Sequence, residues 1–151
     1  MLKKSSLYSV ALLGMLAVTP VLTSGAALAV DDDTSTGSVD LTAVRNKIKA
    51  ENYAAALEEL RGLAEDTQQA DIYNLMGYTL RKTGDYQTSL TYYNKALQLQ
   101  PDYKAAREYL GELYVETGHI DKAKEQLAAL AKLCPGGCEE REDLEKALDG
   151  K

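Results

Sequence analysis

The two cysteines of this chain, Cys134 and Cys138, are the residues whose type and spacing could most readily carry chemistry. In an exported chain an even number of cysteines is expected to pair, and Gly136 and Gly137 between them let the backbone turn sharply. We therefore expect a disulfide that fixes the angle between two helices. A thiol redox couple is the alternative, but such couples use Cys-x-x-Cys at the start of a helix in an α/β fold, and here three residues intervene.

Metal binding and catalysis have weaker support in the sequence. The single histidine, His119, has no motif that links it to the cysteines, so we expect an exposed turn residue, no metal site and no cofactor. Neighbouring carboxylates such as Glu58 and Glu59, or Glu139 and Glu140, diverge on a helix and do not form an acid-base pair. The sequence also contains no nucleophile-elbow motif and no glycine-rich phosphate loop. We predict that the protein is not an enzyme.

The first residues of the chain have the pattern of a bacterial export signal. Lys3 and Lys4 are followed by an apolar run over residues 7–22, and Ala27-Leu28-Ala29 has the small-x-small form of a cleavage site. We predict a signal peptide over residues 1–29, cleavage after Ala29, and a periplasmic or secreted protein that is not inserted in the membrane. An uncleaved membrane anchor is the alternative, because the apolar stretch is nearly long enough to span a bilayer.

The charge of the chain limits its partners. Without Lys3 and Lys4, the 17 basic residues fall to 15, against 23 acidic ones. An acidic protein is repelled by nucleic acid phosphates and by anionic lipid surfaces. We therefore do not expect nucleic acid or a membrane as a partner. A protein with a basic or apolar surface is the expected partner.

The apolar residues follow helical spacing from residue 39 onward, after an acidic leader over residues 30–38 that we expect to be flexible. A sequence repeat runs through this region at a spacing of 34 residues. Its first copy is Met76-Gly77, Leu80, Thr83-Gly84, Tyr86, Ser89, Tyr93, Ala96 and Pro101, and its second is Leu110-Gly111, Tyr114, Thr117-Gly118, Ile120, Ala123, Leu127, Leu130 and Pro135.

This pattern resembles the tetratricopeptide repeat (TPR), a helix-turn-helix unit of about 34 residues that stacks into a superhelix. The resemblance implies an all-α solenoid with repeats over residues 70–103 and 104–137. In each repeat we expect Gly77 or Gly111 to admit the second helix, Gly84 or Gly118 to end the first, and Pro101 or Pro135 to close the hairpin.

The repeats have irregular neighbours at both ends. Residues 39–69 are predicted to be a degenerate repeat, because Asn52 to Leu57 parallels Asp85 to Leu90 while Val44 stands where the later units have glycine. Residues 138–151 are predicted to form a capping helix, since Leu144, Ala147 and Leu148 lie on one side of it. Two helices per repeat and one cap give seven.

Most of the tyrosines in the predicted mature chain are expected to belong to the core. Five fall on repeat positions that pack helices together: Tyr53, Tyr73, Tyr86, Tyr93 and Tyr114. Tyr78 is the exception, because it follows Gly77 and faces away from the partner helix.

In proteins similar to this one, the first helices of successive hairpins line a groove that receives an extended peptide or a helix. Position by position, this resemblance implies a protein-binding groove formed by Arg45, Lys49, Asn74, Tyr78, Arg81, Glu108, Glu112 and Val115. The groove would run from a basic to an acidic end, and the carboxylate clamp of the chaperone-binding members of the family is not reproduced.

The sequence therefore predicts an exported scaffold that binds another protein or peptide, in the cell envelope, through this groove. Two alternatives stay open. One is a structural protein of the envelope that associates with itself through the apolar ends of a short solenoid. The other is a redox protein that uses Cys134 and Cys138.

Overall fold

The structure, a computed structural model, describes residues 38–150, and these form seven α-helices without any β-strand. The helices are α1 (Thr42–Lys49), α2 (Tyr53–Asp66), α3 (Ala70–Lys82), α4 (Tyr86–Leu99), α5 (Lys104–Glu116), α6 (Ile120–Leu133) and α7 (Glu139–Asp149). This confirms the all-α prediction. The predicted signal peptide over residues 1–29 and nearly all of the predicted leader lie outside the described residues.

Each of the three predicted repeats contains one helical hairpin, and the turns follow from the residues at the helix ends. Gly84 and Gly118 adopt left-handed backbone conformations, with φ of +84° and +77°, which glycine enters without a steric penalty. At the start of the next helix, the Asp85 carboxylate accepts a hydrogen bond from the backbone N–H of Thr88 at 3.1 Å. The turn between α3 and α4 is thus stabilised on both sides.

The first hairpin makes the same turn with an unfavourable residue. Glu51 has a φ of +56°, although it carries a side chain, and it stands where the later turns have Gly84 and Gly118. The Asn52 side chain caps α2 by accepting a hydrogen bond from the N–H of Ala55. The degenerate repeat therefore keeps the backbone geometry of its neighbours without the glycine that favours it.

Helices α3 and α4 approach each other closely at Gly77. A Cβ atom added to Gly77 would lie 2.6 Å from the Tyr93 ring, which is fully buried. The Ser89 hydroxyl donates a hydrogen bond to the Gly77 carbonyl at 2.7 Å, so the small residue opposite glycine also satisfies a buried polar group. This confirms that Gly77 admits the second helix, as predicted.

The equivalent space at Gly111 is filled from a different helix. The atoms nearest to a Cβ built on Gly111 belong to Leu144 of α7, at 2.5 Å. Leu144 is fully buried and packs with Val115, Ala123 and Leu130. The capping helix is therefore part of the C-terminal core.

The tyrosines fill the core unequally. Tyr73 and Tyr93 are buried, as predicted, while Tyr53 and Tyr114 are only half-buried. The prediction was wrong for Tyr86, which is 38% exposed at the first position of α4.

Cys134 and Cys138 lie at bonding distance, with Cα atoms 6.0 Å apart, across the turn from α6 to α7. Gly137 provides the positive φ of +95° that this turn needs. The cysteine pair thus lies where the cap joins the last hairpin.

Within residues 38–150, no helix is both long and apolar enough to cross a membrane.

Replacing Glu51 by glycine should stabilise the fold. The substitution removes the strain of a left-handed residue that carries a Cβ. Glycine also gives the unfolded chain more conformational freedom, which offsets part of this stabilisation. We therefore expect the free energy of unfolding to rise by about 1 kcal/mol. Denaturant unfolding measures the change, with Glu51→Ala as the control because alanine keeps the strain. Equal stability of the two variants would contradict this explanation.

Two of the helical glycines, Gly62 and Gly77, should respond oppositely to alanine. Gly77→Ala forces a methyl group into the Tyr93 ring, and we expect a loss of about 2 kcal/mol. A Cβ added to Gly62 would meet no atom within 4 Å, and Gly62→Ala should gain about 0.5 kcal/mol from helix propensity. Thermal unfolding of both variants tests the pair, and a stable Gly77→Ala protein would show that α4 can move away.

A groove with a basic and an acidic pocket

The first helices of the three hairpins face a common groove. A pocket of about 240 Å³ opens between α1, α3 and α5. Its lining consists of Arg45, Ile48, Lys49, Leu75, Tyr78 and Tyr109. Arg45 and Lys49 are exposed, so this basic pocket has a cationic rim over an apolar and aromatic base.

Two tyrosines form the aromatic part of that base. The rings of Tyr78 and Tyr109 lie 5.1 Å apart at an interplanar angle of 55°. Burial, followed by the charge of Glu108, raises the pKa of Tyr109 to about 12. Tyr78 is half-buried and keeps part of its ring open to the groove.

Asn74, which was predicted to line the groove, is buried in the structure. Only 2% of its surface is exposed, and its Nδ2 donates to the Tyr103 hydroxyl at 3.5 Å. Its Oδ1 is buried and accepts no hydrogen bond from the described residues. Asn74 therefore supports the wall of the groove between α3 and α5.

Arg81 forms the centre of an ion-pair network between α3 and α5. Its guanidinium contacts Glu112 at 2.5 Å and Glu116 at 2.7 Å, and the Arg81 side chain is almost completely buried. It also lies 5.6 Å from the ring centroid of Tyr78 and 5.8 Å from that of Tyr109. Arg81 and Glu112, which were both predicted to line the groove, thus form an ion pair with each other.

A second, acidic pocket of about 230 Å³ lies beyond Tyr109, between α5 and α7. Its lining consists of Ala105, Glu108, Tyr109, Glu139, Glu140 and Asp143. Glu108 is the deepest carboxylate, with 9% of its surface exposed. The groove therefore runs from a basic to an acidic end.

Glu108 has an unusual proton affinity. Burial raises its pKa to about 8, and the negative charges of Glu112, Asp143 and Glu140 act in the same direction. Arg81 opposes the shift but is already paired. The pocket consequently holds Glu108 largely protonated at neutral pH.

The structure also shows what position-by-position reasoning missed. Val115 was predicted to face the groove, and that was wrong, because α7 covers it and it packs with Leu144. Tyr109, Glu140 and Asp143 were not predicted as site residues. A signal for α7 was present, since Leu144 follows Leu110 by the same 34 residues that separate the repeats.

His119 and the cysteines contribute nothing to the groove. His119 is exposed at the turn before α6, where Nδ1 lies 3.0 Å from the Thr117 hydroxyl. Within the described residues, no three His, Cys, Asp or Glu side chains converge as metal ligands would.

Two family models described as tetratricopeptide repeat match the chain, one over residues 41–103 and the other over residues 80–135. Together they cover well over half of it. The chain belongs to the tetratricopeptide repeat family. A curated relative, the uncharacterised protein ycf37 of Guillardia theta, is 35% identical over 74 residues. That match covers 49% of this TPR chain and only 41% of the relative.

Solved structures share the fold at low sequence identity. The type III secretion translocator chaperone SycD of Yersinia enterocolitica matches with a TM-score of 0.65 at 15% identity, over 72% of this chain and 86% of SycD. MamA matches with a TM-score of 0.63 at 23% identity, over 73% of this chain and 65% of MamA. PcrH, in complex with the chaperone binding region of PopB, matches with a TM-score of 0.61 at 16% identity, over 70% of this chain and 86% of PcrH.

Glu108 should make the stability of the TPR domain depend on pH. Its pKa is raised from an ordinary 4.5 to about 8 by folding, so the folded state binds the proton more tightly than the unfolded state. The stabilisation by the bound proton is complete below the ordinary pKa of 4.5, and it is lost as the pH rises through the raised pKa of about 8. At about pH 9 we expect the free energy of unfolding of Glu108→Gln to exceed that of the unmodified protein by a few kcal/mol. At low pH the two free energies of unfolding should match.

Chemical unfolding across this pH range measures the effect. Glu58→Gln is the control, because Glu58 is exposed on α2. Parallel pH profiles for Glu108→Gln and the unmodified protein would contradict the assignment.

Proposed function

We propose that this chain is an exported TPR scaffold that binds an extended segment of another protein in the groove between α1, α3 and α5. The observation that carries the proposal is the basic pocket, where Tyr78 and Tyr109 lie beneath the cationic rim of Arg45 and Lys49. Aromatic rings offer large contact areas at a low cost in conformational entropy. Cations at one rim attract an acidic group and can set the direction of the bound segment.

The groove is built to be rigid before a partner arrives. The Arg81 ion pairs join α3 to α5, and the hydrogen bond from Asn74 to Tyr103 joins the same region at a second point. A preorganised site loses less entropy on binding than a flexible one. This favours a receptor for a segment that is itself extended or flexible.

Two comparisons support a protein ligand. TPR units commonly form extended binding surfaces, and PcrH, which shares the fold, is seen with the chaperone binding region of PopB. A fold alone does not determine function, so the groove residues of this chain carry the argument. The pattern of residues 1–29 supports export to the periplasm or beyond the cell.

The test is a crosslinking pull-down from the exported fraction of the source cells, with residues 30–151 as bait. Tyr78→Ala should weaken capture of a specific partner by about tenfold, since it removes an aromatic contact at the centre of the groove. Tyr86→Ala is the matched control, because Tyr86 is exposed at the start of α4 and outside the pocket lining. Asn74 is left unchanged because its substitution would disturb a buried contact.

Loss of the partner with Tyr86→Ala but not with Tyr78→Ala would place the interface on another face and refute the groove. A chain that associates only with itself would support the structural alternative. Mass spectrometry of the chain in the same fraction tests export, and the expected mature N-terminus is Val30. Full-length chain recovered with membranes would favour an anchor.

A further inference from the structure

The acidic pocket between α5 and α7 contains a buried carboxylate that the fold leaves without a partner. Glu108 is 9% exposed and lines the pocket together with Glu139, Glu140 and Asp143. None of the ion pairs between side chains of residues 38–150 includes Glu108, and the nearby pairs belong to Glu112, Glu116 and Glu140. A buried carboxylate is costly unless something compensates its charge.

The neighbouring cations are already engaged. Arg81, which faces Glu108 from α3, is paired with Glu112 and Glu116. Lys104, from the start of α5, lies 4.0 Å from Glu140 with its side chain 42% exposed. Lys104 thus partly neutralises the rim of the pocket and leaves Glu108 at its base without a counter-ion.

A bare metal ion does not fit this arrangement. The carboxylates do not converge closely enough, in the described part of the chain, to ligate one together. The opening of about 230 Å³ accommodates a larger cationic group. Four of its six lining residues are carboxylates, which suit the ammonium or guanidinium end of a long basic side chain.

We infer that the acidic pocket binds an arginine or lysine side chain of the partner segment, with Glu108 as its counter-ion and Glu140 and Asp143 at the rim. This inference rests on the proposed function, because the same segment must also occupy the groove. Tyr109 lines both pockets, so a segment that reaches from one to the other passes beside this residue. The segment that fits is dipolar, with an acidic residue towards α1 and a basic residue towards α7.

Proton release should accompany binding. A cation beside Glu108 favours the charged carboxylate, so a group that is largely protonated in the free protein gives up its proton when the side chain enters. Affinity should therefore rise with pH towards about 8 and level off beyond it. A surface salt bridge between ordinary carboxylates and a basic side chain would not show this dependence in the neutral range.

The probe is a library of displayed random dodecapeptides, selected on immobilised residues 30–151. Counter-selection on Tyr78→Ala retains only peptides that need the groove. We expect these peptides to carry arginine or lysine towards one end and aspartate or glutamate towards the other. Groove-dependent peptides without a basic residue would overturn the inference while leaving the proposed function in place, and an absence of groove-dependent peptides would overturn both.

A double-substitution experiment locates the contact. For one selected peptide, replacing its basic residue by glutamine should weaken binding about tenfold on the unmodified chain and hardly at all on Glu108→Gln. Glu58→Gln is the matched control and should behave like the unmodified chain. Circular dichroism checks that Glu108→Gln is folded, and the mass of the variant checks that Cys134 and Cys138 are bonded.

Calorimetry in buffers of different ionisation enthalpy measures the released proton. We expect release on the unmodified chain near neutral pH and none on Glu108→Gln. If the peptide substitution costs the same on both proteins, or no proton is released, the basic side chain binds elsewhere.

Discussion

The close approach of α3 and α4 at Gly77 is the constraint on which the rest of the structure depends. With no side chain at this position, the Tyr93 ring lies against the α3 backbone, and the Ser89 hydroxyl donates a hydrogen bond to the Gly77 carbonyl. The contact sets the angle within the central hairpin. The direction in which α3 presents Tyr78 and Arg81 to the groove follows from that angle.

A second constraint carries this geometry to the next hairpin. The buried Arg81 side chain reaches from α3 to α5, and its pairing with Glu112 and Glu116 satisfies most of the charge that burial would otherwise penalise. Because Arg81 has a fixed set of partners, α5 is held at one position along α3. That position brings Tyr109 beside Tyr78 and leaves Glu108 pointing into the space before α7.

The two pockets differ in how they are compensated. Arg45 and Lys49 are exposed, and water solvates their charges, so the basic pocket costs the free protein little. Glu108 is buried, and the acidic pocket is tolerated in the free protein because the carboxyl retains a proton. In the proposed function, the basic end would therefore attract an acidic group at any pH near neutral, whereas the acidic end would become charged only when a cation enters it.

The repeat spacing determined the fold from sequence alone, because glycine, small and proline positions recurring at 34 residues admit one kind of helical packing. The resemblance to the family, rather than the spacing itself, implied that Tyr78, Arg45 and Lys49 face a groove, and these three residues line one pocket. Tertiary structure decided the rest. Burial of Asn74 and Val115 depends on which neighbouring helix covers them, and α7 joins the site only because Leu144 fills the space at Gly111. The raised pKa of Glu108 likewise arises from burial and from carboxylates on two helices that lie far apart in sequence, so no local pattern could have revealed it.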